Sequence, residues 1–169
     1  VEIVIVDDNS NDGTAEFIQS IQPESPMPIK YVNTGRDGYN LAYARNIGTV
    51  EAEGSFLLFL DDRYEIESNA ISEFAKRDRK KLWQYGTKDG IVKAFVENFS
   101  FINRKEFIEA GMFNMTIDQY GGMSQELRAR FGAQGFELKI TKEAKAKTIR
   151  GTKNKWNKKG EIRRMKDLL

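Results

Sequence analysis

Two short segments place paired carboxylates directly after apolar runs: VDDNSNDGT at positions 6–14 and FLDDR at positions 59–63. Asp7, Asp8, Asp61 and Asp62 are the residues with the clearest chemical potential. In open α/β sheets, ligands bind just beyond the carboxyl ends of the strands. Acids released there can hold a divalent cation and a charged ligand, since hard cations take oxygen donors. Two acidic strand ends point to one shared site. The same residue types also form turns and helix caps, so their surroundings must decide.

Those surroundings begin with what is missing. The 169-residue chain has no histidine and no cysteine. Ser-His-Asp chemistry, imidazole acid–base catalysis, thiolate nucleophiles, disulfides and His- or Cys-ligated zinc are therefore excluded. Any catalysis must rest on carboxylates, Lys, Arg, Tyr, hydroxyls or an oxygen-held metal. With 40% hydrophobic and 31% charged residues the composition is that of an ordinary globular domain. A chain this long buries roughly 70% of its unfolded surface. No apolar run approaches the roughly 20 residues of a membrane span. The net charge of +2 hides an asymmetry: residues 139–169 hold 12 Lys/Arg against 3 acids, which leaves the other 138 residues at about −7.

The elements that must position the acids follow from periodicity. Val1–Val6 and Phe56–Leu60 are short β-rich runs that read as buried strands. A helix capped by Asp12 or Thr14 should run to about Gln22 and stop at Pro23, and Ile29–Val32 reads as a strand. The loop GRDGYN opens a helix from about Leu41 to Ala52, and Glu67–Arg79 shows apolar residues at helical spacing. Alternating strands and helices predict βαβ units and a mostly parallel sheet flanked by helices, an α/β class. Further on, Leu82–Tyr85 and Ile91–Asn103 are β-rich, Lys105–Ala110 and Ser124–Gln134 are helical, and Phe136–Ile140 is a strand.

Four segments in order resemble the GT-A fold glycosyltransferases of the inverting family 2. VEIVIVDDNSNDGT resembles that family's VDDxSxDGT loop. NTGRDGYNLAYARNIGTVEAEGSFLLFLDD resembles its block running from ARN to LDxD. SFINRKEFIEAGMFN resembles the helix that precedes GxF, and GGMSQELRARFGAQGFEL resembles the helix of the (E)DxELxxRxxxxG motif. Together they cover about residues 1–140, leaving 141–169 as a basic C-terminal extension, helical in part. The resemblance implies a domain that binds a nucleotide sugar, UDP-linked, and transfers the sugar with inversion to a hydroxyl acceptor. It implies that Asp8 accepts from the uracil N3–H, with Asp7 and Ser10 alongside, that Arg45 contacts the nucleotide, and that Asp61 touches the ribose. It also implies that Asp62 ligates Mn²⁺ or Mg²⁺ on the diphosphate.

The chain departs from that family in three places. Arg63 stands where a third acid is expected. The catalytic Asp position, six residues before Arg130 and eleven before Gly135, is Ser124. Serine is no general base near neutral pH without an activating group. Glu126 faces elsewhere on a helix, so Asp118 in the stretch TIDQYGG is the expected substitute. The usual first strand and helix are missing ahead of Val1, which implies a fragment or a domain of a larger protein. These departures set an alternative beside the transferase: a catalytically inactive relative serving as a binding or structural module.

The expected acceptor is a glycan, lipid-linked or protein hydroxyl, near Tyr120–Ser124. In the basic tail, Trp156, Ile162, Met165 and Leu168 fall roughly on one helical side, which suits either packing on the domain or an anionic membrane surface. No aromatic platform accompanies the charge, so nucleic acid is not an expected partner. The expected location is cytoplasmic, peripheral at a membrane or within a larger protein.

Overall fold

The computed structural model describes residues 1–92 and 94–149. In chain order the elements are β1 (Ile3–Asp7), α1 (Thr14–Ile21), β2 (Ile29–Asn33), α2 (Leu41–Glu51), β3 (Phe56–Leu60), β4 (Tyr64–Ile66) and α3 (Ala70–Ala75). There follow β5 (Leu82–Lys88), β6 (Phe99–Asn103), α4 (Arg104–Glu109), α5 (Met123–Ala133) and β7 (Glu137–Thr148).

β1 and β2 form a parallel pair, with Ile3 opposite Ile29 and Asp7 opposite Asn33. Parallel neighbours need a crossover, here α1. The remaining strands form one sheet in the order β3-β6-β5-β7-β4. Only β5–β7 is parallel in it; β3–β6, β5–β6 and β4–β7 are antiparallel. The α/β expectation holds, but strand directions are more mixed than a chain of βαβ units would give, because β4 and β6 each run against their neighbours. Among the described residues no ladder joins the two sheets.

The larger sheet is covered on both sides, which explains why β5 and β6 are buried along nearly their whole length. One side packs Trp83 against Phe107, Phe113 and Phe131 from the helices and the intervening loop. The other packs Phe99 and Phe101 against Phe74 of α3 and the small residues Ala144 and Ala146 of β7. Gly86 lies between these layers, where an added Cβ would meet the Phe99 ring at 2.1 Å and the Ala144 carbonyl at 2.7 Å.

Several boundaries differ from the sequence reading: the β-rich run 91–103 is a strand only over Phe99–Asn103, and the strand begun at Leu82 runs on to Lys88. The helix expected over 67–79 is confined to Ala70–Ala75, because beyond Phe74 every residue to Lys81 is exposed and charge replaces apolar anchors. The strand expected to stop at Ile140 continues to Thr148, so the expected domain boundary at residue 140 falls inside β7. Its lysines face solvent while Thr141, Ala144 and Ala146 are buried, an alternation that the KEAKAK composition hides. The amphipathic pattern around Trp156 lies outside the described residues.

Candidate functional site: a charged relay at the strand ends

β1 ends in an acidic loop with an inner and an outer carboxylate. Asp7 was expected beside a ligand, but it is turned inward and is only 6% exposed. It accepts from the Tyr31 hydroxyl at 2.6 Å, the Ser10 amide at 3.1 Å and Asn33 Nδ2 at 3.4 Å. Burial pushes the Asp7 carboxyl up, but the hydrogen bonds from Ser10 and Tyr31 outweigh it and hold it below its ordinary value. Asp7 thus ties the loop to β2 from beneath. Asp8 is exposed, accepting from Thr34 Oγ1 at 3.1 Å and from the Asn40 amide at 3.2 Å. Ser10 is exposed beside it. Asn9 takes the left-handed conformation, at φ 63°, that bends the loop.

Asn40 is the N-cap of α2, and its side chain does not cap that helix. Asp8 supplies an acid there instead, where the helix dipole favours negative charge. Arg45 lies five residues further on, about 7.5 Å along the helix axis. Its Nη2 donates to Asp61 Oδ1 at 2.9 Å and its Nη1 to Glu97 Oε1 at 2.8 Å. Asp61 Oδ2 accepts from Asn98 Nδ2 at 2.9 Å and has Arg63 Nη2 at 3.5 Å. Glu97 Oε2 accepts from the Ser124 hydroxyl at the start of α5. Helix α2 therefore joins the two acidic strand ends, with Asp8 held at its N-terminus and Asp61 held by Arg45 about one and a half turns along.

The charges in this cluster are nearly dry. The Arg45 side chain is 11% exposed, Asp61 18% and Glu97 8%. Burial raises the Glu97 carboxyl, but the Arg45 guanidinium and the Ser124 hydroxyl more than offset it and hold it below the ordinary glutamate value of 4.5. Tyr39 lies close enough to feel Arg45, Glu97 and Asp61, and burial pushes its hydroxyl up to about 12. Its ring meets Tyr120 edge-on at 6.4 Å.

Glu97, Asn98 and Tyr39 were missed in the sequence. The available signal was an acid inside the β-rich run 91–103, a position where an unpaired charge is costly. Asp118, the expected substitute base, is exposed and lines a cavity of about 50 Å³ with Arg36, Asn40 and Met115. The hydroxyl of Ser124 bonds to Glu97 instead.

Among the described residues no group of three or more acids gathers as a ready metal cage. The oxygens of Asp61 are engaged by Arg45, Asn98 and Arg63, and Asp62 beside it is exposed. One hard carboxylate oxygen of this kind fits Mn²⁺ or Mg²⁺ only when phosphate oxygens and water complete the shell.

Residues 1–136 match the family described as Glycosyl transferase family 2. The chain belongs to that family. It is similar to the GalNAc(5)-diNAcBac-PP-undecaprenol beta-1,3-glucosyltransferase of Campylobacter jejuni, at 26% identity over 142 residues covering 68% of this chain and 45% of the relative. Among solved structures it resembles GalNAc-T7 with UDP, GalNAc and Mn²⁺, at TM-score 0.76 and 18% identity over 90% of this chain and 38% of that one. It also resembles the mannosyltransferase PcManGT of Pyrobaculum calidifontis with GDP-Man and Mn²⁺, at TM-score 0.72 and 15% identity over 90% of this chain and 49% of that one. These likenesses establish the GT-A fold, and the chain spans about half the length, or less, of these relatives.

Proposed function

We propose that this domain binds a UDP-linked sugar with Mn²⁺ or Mg²⁺ and transfers the sugar, with inversion, to a hydroxyl of a glycan, lipid-linked or protein acceptor. The observation that supports this best is the path through α2: Asp8, an exposed base-reading candidate, accepts from the Asn40 amide at the start of that helix, and Asp61, a ribose-side candidate, accepts from Arg45 five residues on. A nucleoside diphosphate offers both a base and a ribose for two such groups to hold. Membership of the family named above supports a nucleotide-sugar donor.

In the proposed arrangement Asp8 accepts from the uracil N3–H, since a carboxylate can only accept. Asp7 and Ser10 keep its loop in place, Arg45 fixes Asp61 toward the ribose, and Asp62 is the metal's protein ligand. The metal, when bound, neutralises the leaving diphosphate. Inversion requires in-line attack at the anomeric carbon by an acceptor hydroxyl that loses its proton. We place the domain in the cytoplasm, peripheral to a membrane when the acceptor is lipid-linked, a location favoured by the basic stretch over 139–169. Among the described residues no helix is long and apolar enough to cross a membrane.

Calorimetric titration with UDP, UDP-glucose and UDP-N-acetylglucosamine, with and without Mn²⁺, followed by an assay of UDP release, tests the proposal. Binding that weakens about tenfold or more in Asp8→Asn, as loss of a charged hydrogen bond predicts, supports it. No binding of any of these uridine nucleotides in the presence of Mn²⁺ would sink it. Binding without any turnover would leave the inactive binding module as the better description.

A further inference from the structure

Ser124 occupies the position where the family resemblance requires a carboxylate, and a serine alone cannot take a proton from an acceptor hydroxyl near neutral pH. The structure supplies a carboxylate at that point from a different element. Glu97, on the turn before β6, accepts from the Ser124 hydroxyl with one oxygen and from Arg45 with the other. Glu97 is 6% exposed, whereas Ser124 is half-buried in the first turn of α5. Ser124 is thus the more exposed member of the pair. The bond to Glu97 uses only the proton of Ser124, so the lone pairs of Oγ remain able to receive another.

We propose that Glu97, acting through the Ser124 hydroxyl, takes the acceptor's proton in sugar transfer. The inference rests on the transfer reading above. As the acceptor oxygen bonds to the anomeric carbon, the bond from that carbon to the diphosphate breaks and its electron pair leaves with the nucleotide. The acceptor proton passes to Ser124 Oγ while the proton of Ser124 passes to Glu97 Oε2. Arg45 keeps the Glu97 carboxylate aimed at Ser124 throughout. Ser124 is the group that touches substrate, and Glu97 positions and drives it.

The test measures UDP release by the full-length protein, with water as the acceptor and whichever of UDP-glucose, UDP-galactose or UDP-N-acetylglucosamine the parent turns over. Glu97→Gln and Ser124→Ala should each lower kcat about 100-fold, within the range of general-base losses, with the Kd for UDP and Mn²⁺ changed less than threefold. Ser124→Asp in the Glu97→Gln background should restore at least tenfold of that loss, because it returns a carboxylate to the reacting position. Ser124→Asp alone should gain nothing, since it sets two carboxylates face to face. Variants within threefold of the parent, a loss of UDP affinity that matches the loss of rate, or no rescue by the double variant would each overturn the inference while the transfer reading stands. A parent that turns over none of the three donors would overturn both. If Glu97→Gln does not fold, Ser124→Ala, which removes one half-buried hydroxyl, decides alone.

Discussion

Arg45 is the residue on which the site's electrostatics depend, because one guanidinium faces two carboxylates that are both largely out of water. Deleting one member of a buried ion pair leaves the other charged and unpaired, at about 3–5 kcal/mol. Arg45→Met should lower the urea midpoint accordingly, and a loss under 1 kcal/mol would show that water reaches the cluster. Glu97 gives a second expectation. Its folded-state carboxyl sits below the ordinary value of 4.5, so it contributes stability above that pH and loses it as the pH falls through the lowered value. Urea unfolding of the parent and of Glu97→Gln should therefore differ most near neutrality and converge only as the pH falls through that lowered value. A gap that widens in acid would reverse the sign and refute the ionised pair. Neither relation was legible in the sequence. Glu97 lies 52 residues from Arg45 and 27 from Ser124, and no local period marks partners so far apart.

At the scale of elements, α2 works as a strut, and Asn46 shows how it is anchored. Asn46 is 6% exposed, donating to the Phe113 carbonyl and accepting from the Phe113 amide, both at 2.9 Å. That pair fixes the helix that carries Arg45 to the loop leading into α5, which carries Ser124. Asn46→Ala would leave two buried backbone groups without partners, at about 1–3 kcal/mol each. A melting temperature lower by about 5–10 °C is expected for a domain of this size, and a shift under 2 °C would mean the loop is held by other contacts. The sequence made the strut itself readable: a glycine-marked loop opened a helix at about 41–52, and the structure has it at Leu41–Glu51. The β1 and β3 acids were legible for a similar reason, as short β-rich runs ending in Asp pairs. What stayed hidden was direction and extent. Pattern alone does not say that β6 runs against β5, nor that β7 threads eight residues past Ile140 by placing alanines under Phe74 and Phe99.

At the scale of the whole molecule, the charge ledger sets how a diphosphate can enter. Arg45 and Arg63 are matched by Asp61 and Glu97 within the cluster, while Asp8 and Asp62 add further negative charge at the rim. The first 138 residues carry about −7 in all. Such a surface repels an anionic ligand over the Debye length of about 8–10 Å, so the positive charge that makes binding favourable must arrive with the nucleotide. One exposed carboxylate holds a hard divalent ion only weakly. The cation and the diphosphate should therefore bind as a coupled pair, each raising the affinity of the other by the same factor. Calorimetry should find Mn²⁺ alone unsaturated at millimolar concentration, and the Kd for UDP at least tenfold tighter with Mn²⁺ than with a chelator. Asp62→Asn should remove most of that enhancement while leaving the weak metal-free affinity in place. Equal UDP affinity with and without the metal would mean that Arg63 turns from Asp61 to the phosphates and supplies the missing charge itself, and Arg63→Gln would then abolish binding where Asp62→Asn does not.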